Sequence, residues 1–357
     1  MSDGPTKRNH YNPCFWTALW NKRFFASWLC NAARRGKPRE QVVWVLNLRS
    51  CKILEDKVAN LHFDKGLGVA EITNESAERF CHRWFPEELP GLMAWNREHP
   101  GGQYFIDFED VLAGMEGLGV YGALMKAAKL GAVDSLEHKG FLVGNLVLHA
   151  MRSHELMASM TKGGAIGLEK FEYFWLLRNA FGNPLILGRA AVPLASGQWI
   201  LYRTDDHRFP LCDSPVMVNR DSVMAVLSPR LLLEVTLKVP RYEDLPLVRD
   251  GISASKFREF RHRAISNTFK EILFSDRAVL EEWRSSREFR ARAAALRDPA
   301  KAAECLRVAS ERVKWALSGF GRVPPNWEDW APRAFDAAQG DAAAWREFST
   351  YRSRRSP

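Results

Sequence analysis

The spacing of apolar residues changes along the chain, and these changes predict where helices and strands lie. Between residues 13 and 36 apolar side chains nearly encircle a helix, which predicts a mostly buried element. Residues 41–48 form a short β-branched and aromatic run, which is typical of a strand. Further helices are predicted at 76–84, 107–130, 139–161, 171–180 and 253–310, the last interrupted at Asp298-Pro299.

Residues 197–239 have a different character, with short apolar runs separated by turn residues. Strands are predicted at 198–203, 209–218, 222–227 and 231–239. Their close succession favours antiparallel pairing. In the last strand apolar residues alternate with Glu234, Thr236 and Lys238, so one face is predicted to be wet. The predicted fold class is therefore α+β, mainly α-helical with a small antiparallel sheet that also takes in residues 41–48.

With 357 residues and 46% apolar content, the chain can bury a large core as one large domain or two smaller ones. We predict a main domain at 1–282 and a basic helical C-terminal appendage at 283–357. The appendage is expected to pack through its apolar side chains. These are Phe289, Leu296, Leu306, Val313 and Trp315.

The net charge of +9 is unevenly distributed, with 9 basic and 2 acidic groups in residues 1–50 and 15 and 9 in residues 283–357. Such a balance favours binding to nucleic acid or another polyanion, and Arg290, Arg297 and Arg307 are the predicted contacts. The alternative is an ordinary solvated surface. No apolar run approaches the roughly 20 residues that span a bilayer, so no membrane association is expected. Six widely spaced cysteines suggest reduced thiols in a cytoplasm.

Four polar positions set into apolar surroundings predict a candidate site. Asn145, His149 and Arg152 are spaced to share one face of the 139–161 helix. His10 precedes the first helix, Asp213 follows an apolar strand, and Asn267 lies near a helix flank. Each of these residues also has an ordinary structural interpretation.

The chemistry of these side chains narrows the possible functions. His10, His149 and Asp213 could transfer protons, and Arg152 could stabilise an anion, which suits hydrolysis of phosphodiesters. A buried Arg152 would need an acidic partner, so we predict an ion pair with Asp213. The sequence identifies neither a cofactor nor a metal-ligand set. We interpret Asp205-Asp206-His207 as a solvated turn, and Asn267, a candidate binding residue, as bonded to a loop.

Several of these positions belong to motifs that follow one another in order. The motifs are His10-Tyr11-Asn12-Pro13 before an aromatic helix, His149-Ala150-Met151-Arg152, Cys212-Asp213-Ser214-Pro215, Leu227-Ser228-Pro229, and Asn267 in a late helix. Over about residues 7–280 the chain resembles the bacterial domain-of-unknown-function family 4238. It departs from the family pattern at His149, where Gln is usual, and at Cys212, where Ser is usual. The resemblance implies a bacterial or phage intracellular setting and no particular activity.

Two function hypotheses follow. The first is an intracellular hydrolase acting on phosphodiesters or nucleic acid through His10, His149, Arg152 and Asp213. The second is a non-catalytic module that binds a ligand or nucleic acid, with the same residues in structural roles. Convergence of His10, Arg152 and Asp213 in an open cleft would favour the enzyme, whereas their dispersal or full burial with mutual pairing would favour the module.

Overall fold

The structure is a computed structural model of the chain. It describes residues 8–10, 14–31, 36–61, 63–65, 69–107, 120–151, 168–169, 171–173, 175, 184–237, 245–317, 331–338, 340–341, 343–344 and 346–347. The predicted helical segments 108–119, 152–161 and 176–180 lie outside these residues.

The described helices are distributed along the chain from Cys14 to Ala338. The α-helices are α1 (Cys14–Thr17), α2 (Lys22–Leu29), α3 (Asn74–Trp84), α4 (Leu89–Glu98), α5 (Val120–Leu130), α6 (Leu136–Met151), α7 (Pro184–Ser196), α8 (Ala254–Asn267), α9 (Arg277–Ser285), α10 (Arg287–Arg297), α11 (Pro299–Leu317) and α12 (Ala331–Ala338). Short 3-10 turns lie at Ala18–Trp20, Pro38–Glu40, Val58–Asn60 and Pro86–Glu88.

The strands are distributed over much of the chain. They are β1 (Arg8–His10), β2 (Val42–Asn47), β3 (Ile53–Lys57), β4 (Phe63–Lys65), β5 (Val69–Thr73), β6 (Gln103–Asp107), β7 (Gln198–Arg203), β8 (Leu211–Cys212), β9 (Val216–Val218), β10 (Ser222–Ser228), β11 (Leu231–Thr236), β12 (Leu247–Asp250) and β13 (Glu271–Phe274).

The α+β class is confirmed, but the predicted single small sheet is wrong. One sheet has five strands in the order β12-β7-β11-β10-β9, and a second has four in the order β3-β2-β13-β8. The pairs β1-β4 and β5-β6 form two further ribbons. Neighbouring strands are antiparallel except β12 and β7, which are parallel. The predicted 41–48 strand is therefore in a different sheet from most of the 198–239 strands.

The apolar run at 209–218 serves both large sheets. β8 pairs with β13 in the four-stranded sheet, whereas β9 pairs with β10 in the five-stranded sheet. Between them lies Pro215, which has no N–H to donate to a continuous ladder. Asp213 and Ser214 therefore lie where the chain passes from one sheet to the other.

The long helix predicted after residue 13 is divided. α1 passes into a 3-10 turn, and the helix restarts at α2 because the Asn21 side chain accepts a hydrogen bond from the Phe24 N–H at 2.9 Å. This is an N-cap in the middle of the predicted helix. The division leaves Trp16, Trp20 and Phe25 buried, as the apolar pattern predicts.

The predicted wet face of the last strand is wrong at Glu234. This residue is 4% exposed and its carboxylate accepts hydrogen bonds from the Tyr202 hydroxyl at 2.8 Å and Lys256 Nζ at 2.9 Å. Lys256 belongs to α8, so the helix supplies a charged partner that the strand alone does not reveal. Burial, reinforced by the Glu234 charge, raises the pKa of the Tyr202 hydroxyl.

The C-terminal helices share the core of the rest of the protein. Phe289 and Leu296 are buried as predicted, and Leu306 and Trp315 pack partly buried against the core. The side chain of Val313 lies outside the described residues. The predicted boundary between residues 282 and 283 falls within α9, and α12 packs on α6 and α7.

Candidate functional site

Asn145 and His149 of the predicted polar stripe face the protein interior. Asn145 and His149 lie one turn apart on α6 and are 2% and 3% exposed. His149 Nε2 is 3.2 Å from the Tyr121 hydroxyl, and its ring centre is 5.0 Å from that of Trp16. Asn145 Nδ2 is enclosed and has no acceptor among the described residues. Solvent therefore does not reach these two side chains.

Asp213 is also enclosed, at 2% exposure. Its carboxylate accepts hydrogen bonds from the backbone N–H groups of Phe269 at 3.1 Å and Lys270 at 2.6 Å. These groups lie between the end of α8 and the start of β13. The carboxylate therefore links the segment between β8 and β9 to the loop that precedes β13.

Two members of the predicted catalytic set cannot be placed relative to Asp213. Arg152 and the side chain of His10 lie outside the described residues; the backbone of His10 pairs with Phe63 in the β1-β4 ribbon. The Arg152–Asp213 ion pair and the convergence of the set therefore stay predictions.

Asn267 is the last residue of α8 and bonds to its own helix. Its Nδ2 donates to the Arg263 carbonyl at 2.8 Å. The expected hydrogen bond to a loop is wrong, because the side chain folds back on the preceding turn of the helix. This is a structural role at a helix end.

The three predicted basic contacts differ in their surroundings. Arg290 and Arg297 are exposed and make no ion pair with any residue that the structure describes. Arg307 is exposed as well, but its Nε and Nη2 both bond the Glu304 carboxylate at 2.7 Å. Such bidentate geometry occupies much of the donor fork of the guanidinium.

A cleft of about 790 Å³ opens among α2, the 205–208 turn, α8 and α9. Its walls are largely apolar, and several charged side chains reach into it. The apolar lining includes Phe25, Leu29, Phe257, Val279 and Trp283, and the charged lining includes Lys22, Asp205, Asp206, Arg208, Arg230, Asp276 and Glu282. Apolar walls with a few converging polar groups are typical of a small-molecule site.

Most charges in this cleft are paired with one another or with a neighbour. Lys22 Nζ is 2.8 Å from Asp276, and Arg208 Nη2 is 2.8 Å from Asp206. Glu282 is 3.5 Å from Arg261. Asp205 and Arg230 are the charged residues of the cleft that these pairs do not include.

Arg230 is the exception among the cations of the cleft. Its guanidinium carbon lies 5.5 Å from the centre of the Phe25 ring, and its buried Nε has no hydrogen-bond acceptor among the described residues. A buried donor without an acceptor costs about 1–3 kcal/mol, and more when the group is charged. Since Nε is enclosed, an acceptor that enters the cleft would bind Arg230 through its other guanidinium N–H groups.

His207 lies beside Arg230 in this cleft and is half-buried. Its Nδ1 is 3.0 Å from Ser275 Oγ, and its ring meets the Phe25 ring edge-on at 5.1 Å. Burial, followed by the charges of Arg230 and Lys22, lowers the pKa of His207 from 6.5 to about 4. The interpretation of Asp205-Asp206-His207 as a solvated turn is right for the exposed aspartates and wrong for His207.

The lowered pKa of His207 predicts a loss of stability in mild acid. The unfolded chain takes up this proton near pH 6.5 and the native protein only near pH 4, so the free energy of unfolding falls as the pH drops through this window. After discounting for partial exposure we expect a loss of about 1–3 kcal/mol. His207→Gln should abolish this part of the pH dependence in urea unfolding at pH 7 and pH 4.5.

The control for this measurement is His262→Gln, because His262 is an exposed residue of α8. It should leave the acid-induced loss of stability unchanged. Equal pH profiles for the wild type and His207→Gln would contradict the proposed environment of His207.

The described residues contain neither a metal-ligand cluster nor a membrane-spanning helix. Within them no three His, Cys, Asp or Glu side chains come together as a metal site would require. In the same part of the chain no helix has the length and hydropathy needed to cross a membrane.

The comparisons with known proteins do not assign this chain to a family. No family model matches the chain, and no curated protein and no solved structure is similar to it. The resemblance drawn from the ordered motifs therefore stays a prediction.

Proposed function

We propose that this protein is a non-catalytic binding module whose cleft takes a small organic anion, a carboxylate or phosphate group on an apolar body. The observation that carries the proposal is the permanently charged Arg230, which lines the cleft and has no carboxylate partner among the described residues. The second of the two sequence hypotheses is therefore the one that the geometry favours.

The environment of Arg230 suits the anionic group of such a ligand. Phe25 lies against the guanidinium and fixes its orientation, while the fork of donors is suited to a carboxylate or phosphate. His207 is neutral near pH 7, so its ring can donate to the ligand from Nε2 while Ser275 donates to Nδ1. The negative charge of Asp205 repels an anion, but Asp205 is exposed, so water and salt screen this charge.

The apolar walls suit the rest of the ligand. Phe257, Val279 and Trp283 line the cleft opposite α2. A cleft of about 790 Å³ falls within the usual range for small-molecule sites, roughly 300–1,000 Å³. Apolar burial would supply affinity, and Arg230 would supply selectivity for the charge.

Phosphodiester hydrolysis by His10, His149, Arg152 and Asp213 is the weaker proposal. His149 and Asp213 are both enclosed, and the Asp213 carboxylate already accepts two backbone N–H groups. A general base must reach the proton that it removes. These two side chains have surroundings typical of structural polar groups.

Replacing Arg230 should weaken anion binding in the cleft. We expect Arg230→Gln to reduce affinity for 8-anilinonaphthalene-1-sulfonate, an apolar anion, by on the order of tenfold to a hundredfold, because a charge-assisted hydrogen bond is lost. The dye's fluorescence at constant protein concentration gives the Kd. Phenyl phosphate and benzoate would then be tested as competitors, while neutral benzamide should not compete.

The matched control is Arg220→Gln, since Arg220 is exposed in the β9-β10 turn, away from the cleft. It should bind the dye as the wild type does. Unchanged binding in Arg230→Gln, with near-ultraviolet circular dichroism confirming the native fold, would contradict the proposal.

A further inference from the structure

A second surface of the protein gathers exposed basic side chains from two distant segments of the chain. α10 turns Phe289, Ala293 and Leu296 into the core. Its arginines at 287, 290 and 297 remain exposed. None of these three makes an ion pair with a described carboxylate, whereas many arginines elsewhere do.

The hairpin between β2 and β3 extends this surface. Arg297 Nη1 reaches Cys51 Sγ at 4.0 Å, which brings the end of α10 to the hairpin. Arg49 and Lys52 stand on either side of Cys51, are exposed, and likewise form no ion pair within the described chain. The hairpin that carries Arg49, the last basic residue of the 1–50 region, therefore lies against the end of α10. We call Arg49, Lys52, Arg287, Arg290 and Arg297 the basic surface.

Acidic groups close to this surface are already engaged. Asp298 follows Arg297, but it caps α11 through the Ala300 N–H at 3.0 Å and lies 3.6 Å from Lys301. Glu288 is exposed and lies 3.9 Å from Arg261 of α8. The positive charge of the basic surface is thus not neutralised by these neighbours.

We propose that the basic surface binds the phosphate backbone of nucleic acid without reading its sequence. The donor fork of arginine matches the geometry of phosphate oxygens. Arg290 and Arg297 are two helical turns apart, about 10 Å along the helix axis, and this spacing suits a partner with regularly repeated charges. Among the exposed large apolar side chains of the described residues Leu54 of β3 lies near this surface, but the exposed aromatic residues, Trp84 and Trp95, lie on neither α10 nor the β2-β3 hairpin. This proposal is independent of the ligand cleft.

The test is fluorescence anisotropy of the full chain with a labelled DNA duplex and a labelled single-stranded RNA, at 50 and 200 mM salt. Affinity should fall about 40-fold between these salt concentrations if three phosphates are contacted and about 500-fold if five are. Binding to either probe supports the proposal, and the difference between the probes shows which nucleic acid is preferred.

Three charge reversals of equal size locate the contact. Arg290→Glu and Arg49→Glu should each weaken binding at least tenfold at 50 mM salt and reduce the salt slope by about 1 or more. Arg307→Glu changes the net charge equally, but Arg307 is held by Glu304, so it should weaken binding less than threefold. Circular dichroism checks that each exposed-site variant keeps its fold.

Four results would overturn the proposal. One is the absence of binding at 50 mM salt, and the second is binding that does not respond to salt. The third is an equal loss in all three variants, which would reflect net charge and not a surface. Equally tight binding of polyglutamate of matched charge would also overturn it, in favour of an acidic protein partner.

Discussion

Gly140→Ala is expected to lower the free energy of unfolding by about 3 kcal/mol or more. A Cβ at this position of α6 would lie 1.9 Å from the carbonyl oxygen of Ala337 in α12. Both sides of this contact are backbone, so no side chain can rotate away to relieve it. The two helices must separate, and contacts along both are then lost. Urea unfolding followed by circular dichroism measures the change.

Gly122→Ala is the matched control for this measurement. It also lies in a helix, α5, but its Cβ would have no neighbour within 4 Å. Helix propensity alone then predicts a gain of up to about 1 kcal/mol. The two substitutions should therefore have opposite signs. A neutral Gly140→Ala would contradict the close packing of α12 on α6 and would favour the predicted separate C-terminal appendage.

Elements with strong local signals could be predicted from the sequence. α3 begins at a capping box in which Thr73 accepts from the Ser76 N–H and Ser76 Oγ accepts from the Thr73 N–H. β2 is a compact apolar and aromatic run close to the predicted bounds. In both cases the deciding interactions lie within a few residues of one another, so the pattern is visible without the rest of the chain.

β13 could not be predicted, because its pairing is not local. Its four residues read Glu-Ile-Leu-Phe between two helices, and a short apolar run fits a buried helix as well as a strand. Its partners are β2 and β8, which lie far away in the sequence. Non-local pairing also explains the division of 209–218, because its first half pairs in one sheet and its second half in the other.

The candidate site likewise has features that the sequence could predict and features that it could not. The burial of Asn145 and His149 was one of two outcomes that the sequence allowed, since helical spacing fixes the face of α6 and not its surroundings. His207 was misinterpreted because its neighbours Phe25 and Ser275 come from distant segments. A run of four ionisable residues, from Asp205 to Arg208, indicates a polar turn and says nothing about the aromatic side chains that fold over it.

Asp213→Ala is expected to cost about 3–5 kcal/mol of unfolding free energy, because the N–H groups of Phe269 and Lys270 lose their buried acceptor. Urea unfolding at pH 7 measures the loss. The control is Asp250→Ala, which removes an exposed carboxylate paired with Arg203 and should cost at most about 1 kcal/mol. A loss as small as that of the control would contradict the structural role of Asp213.

Asp213→Asn distinguishes backbone N–H groups from Arg152 as the main partner of this carboxylate. One oxygen, Oδ2, accepts from both Lys270 at 2.6 Å and Phe269 at 3.1 Å, so the single amide oxygen of asparagine can keep both bonds. If the backbone bonds dominate, the cost should be only about 1–2 kcal/mol. If the predicted ion pair with Arg152 dominates, removing the charge leaves a buried cation unpaired, and asparagine should cost nearly as much as alanine. A small loss therefore supports the structural role that underlies the binding-module proposal, and a large one returns Arg152 and Asp213 to a common site.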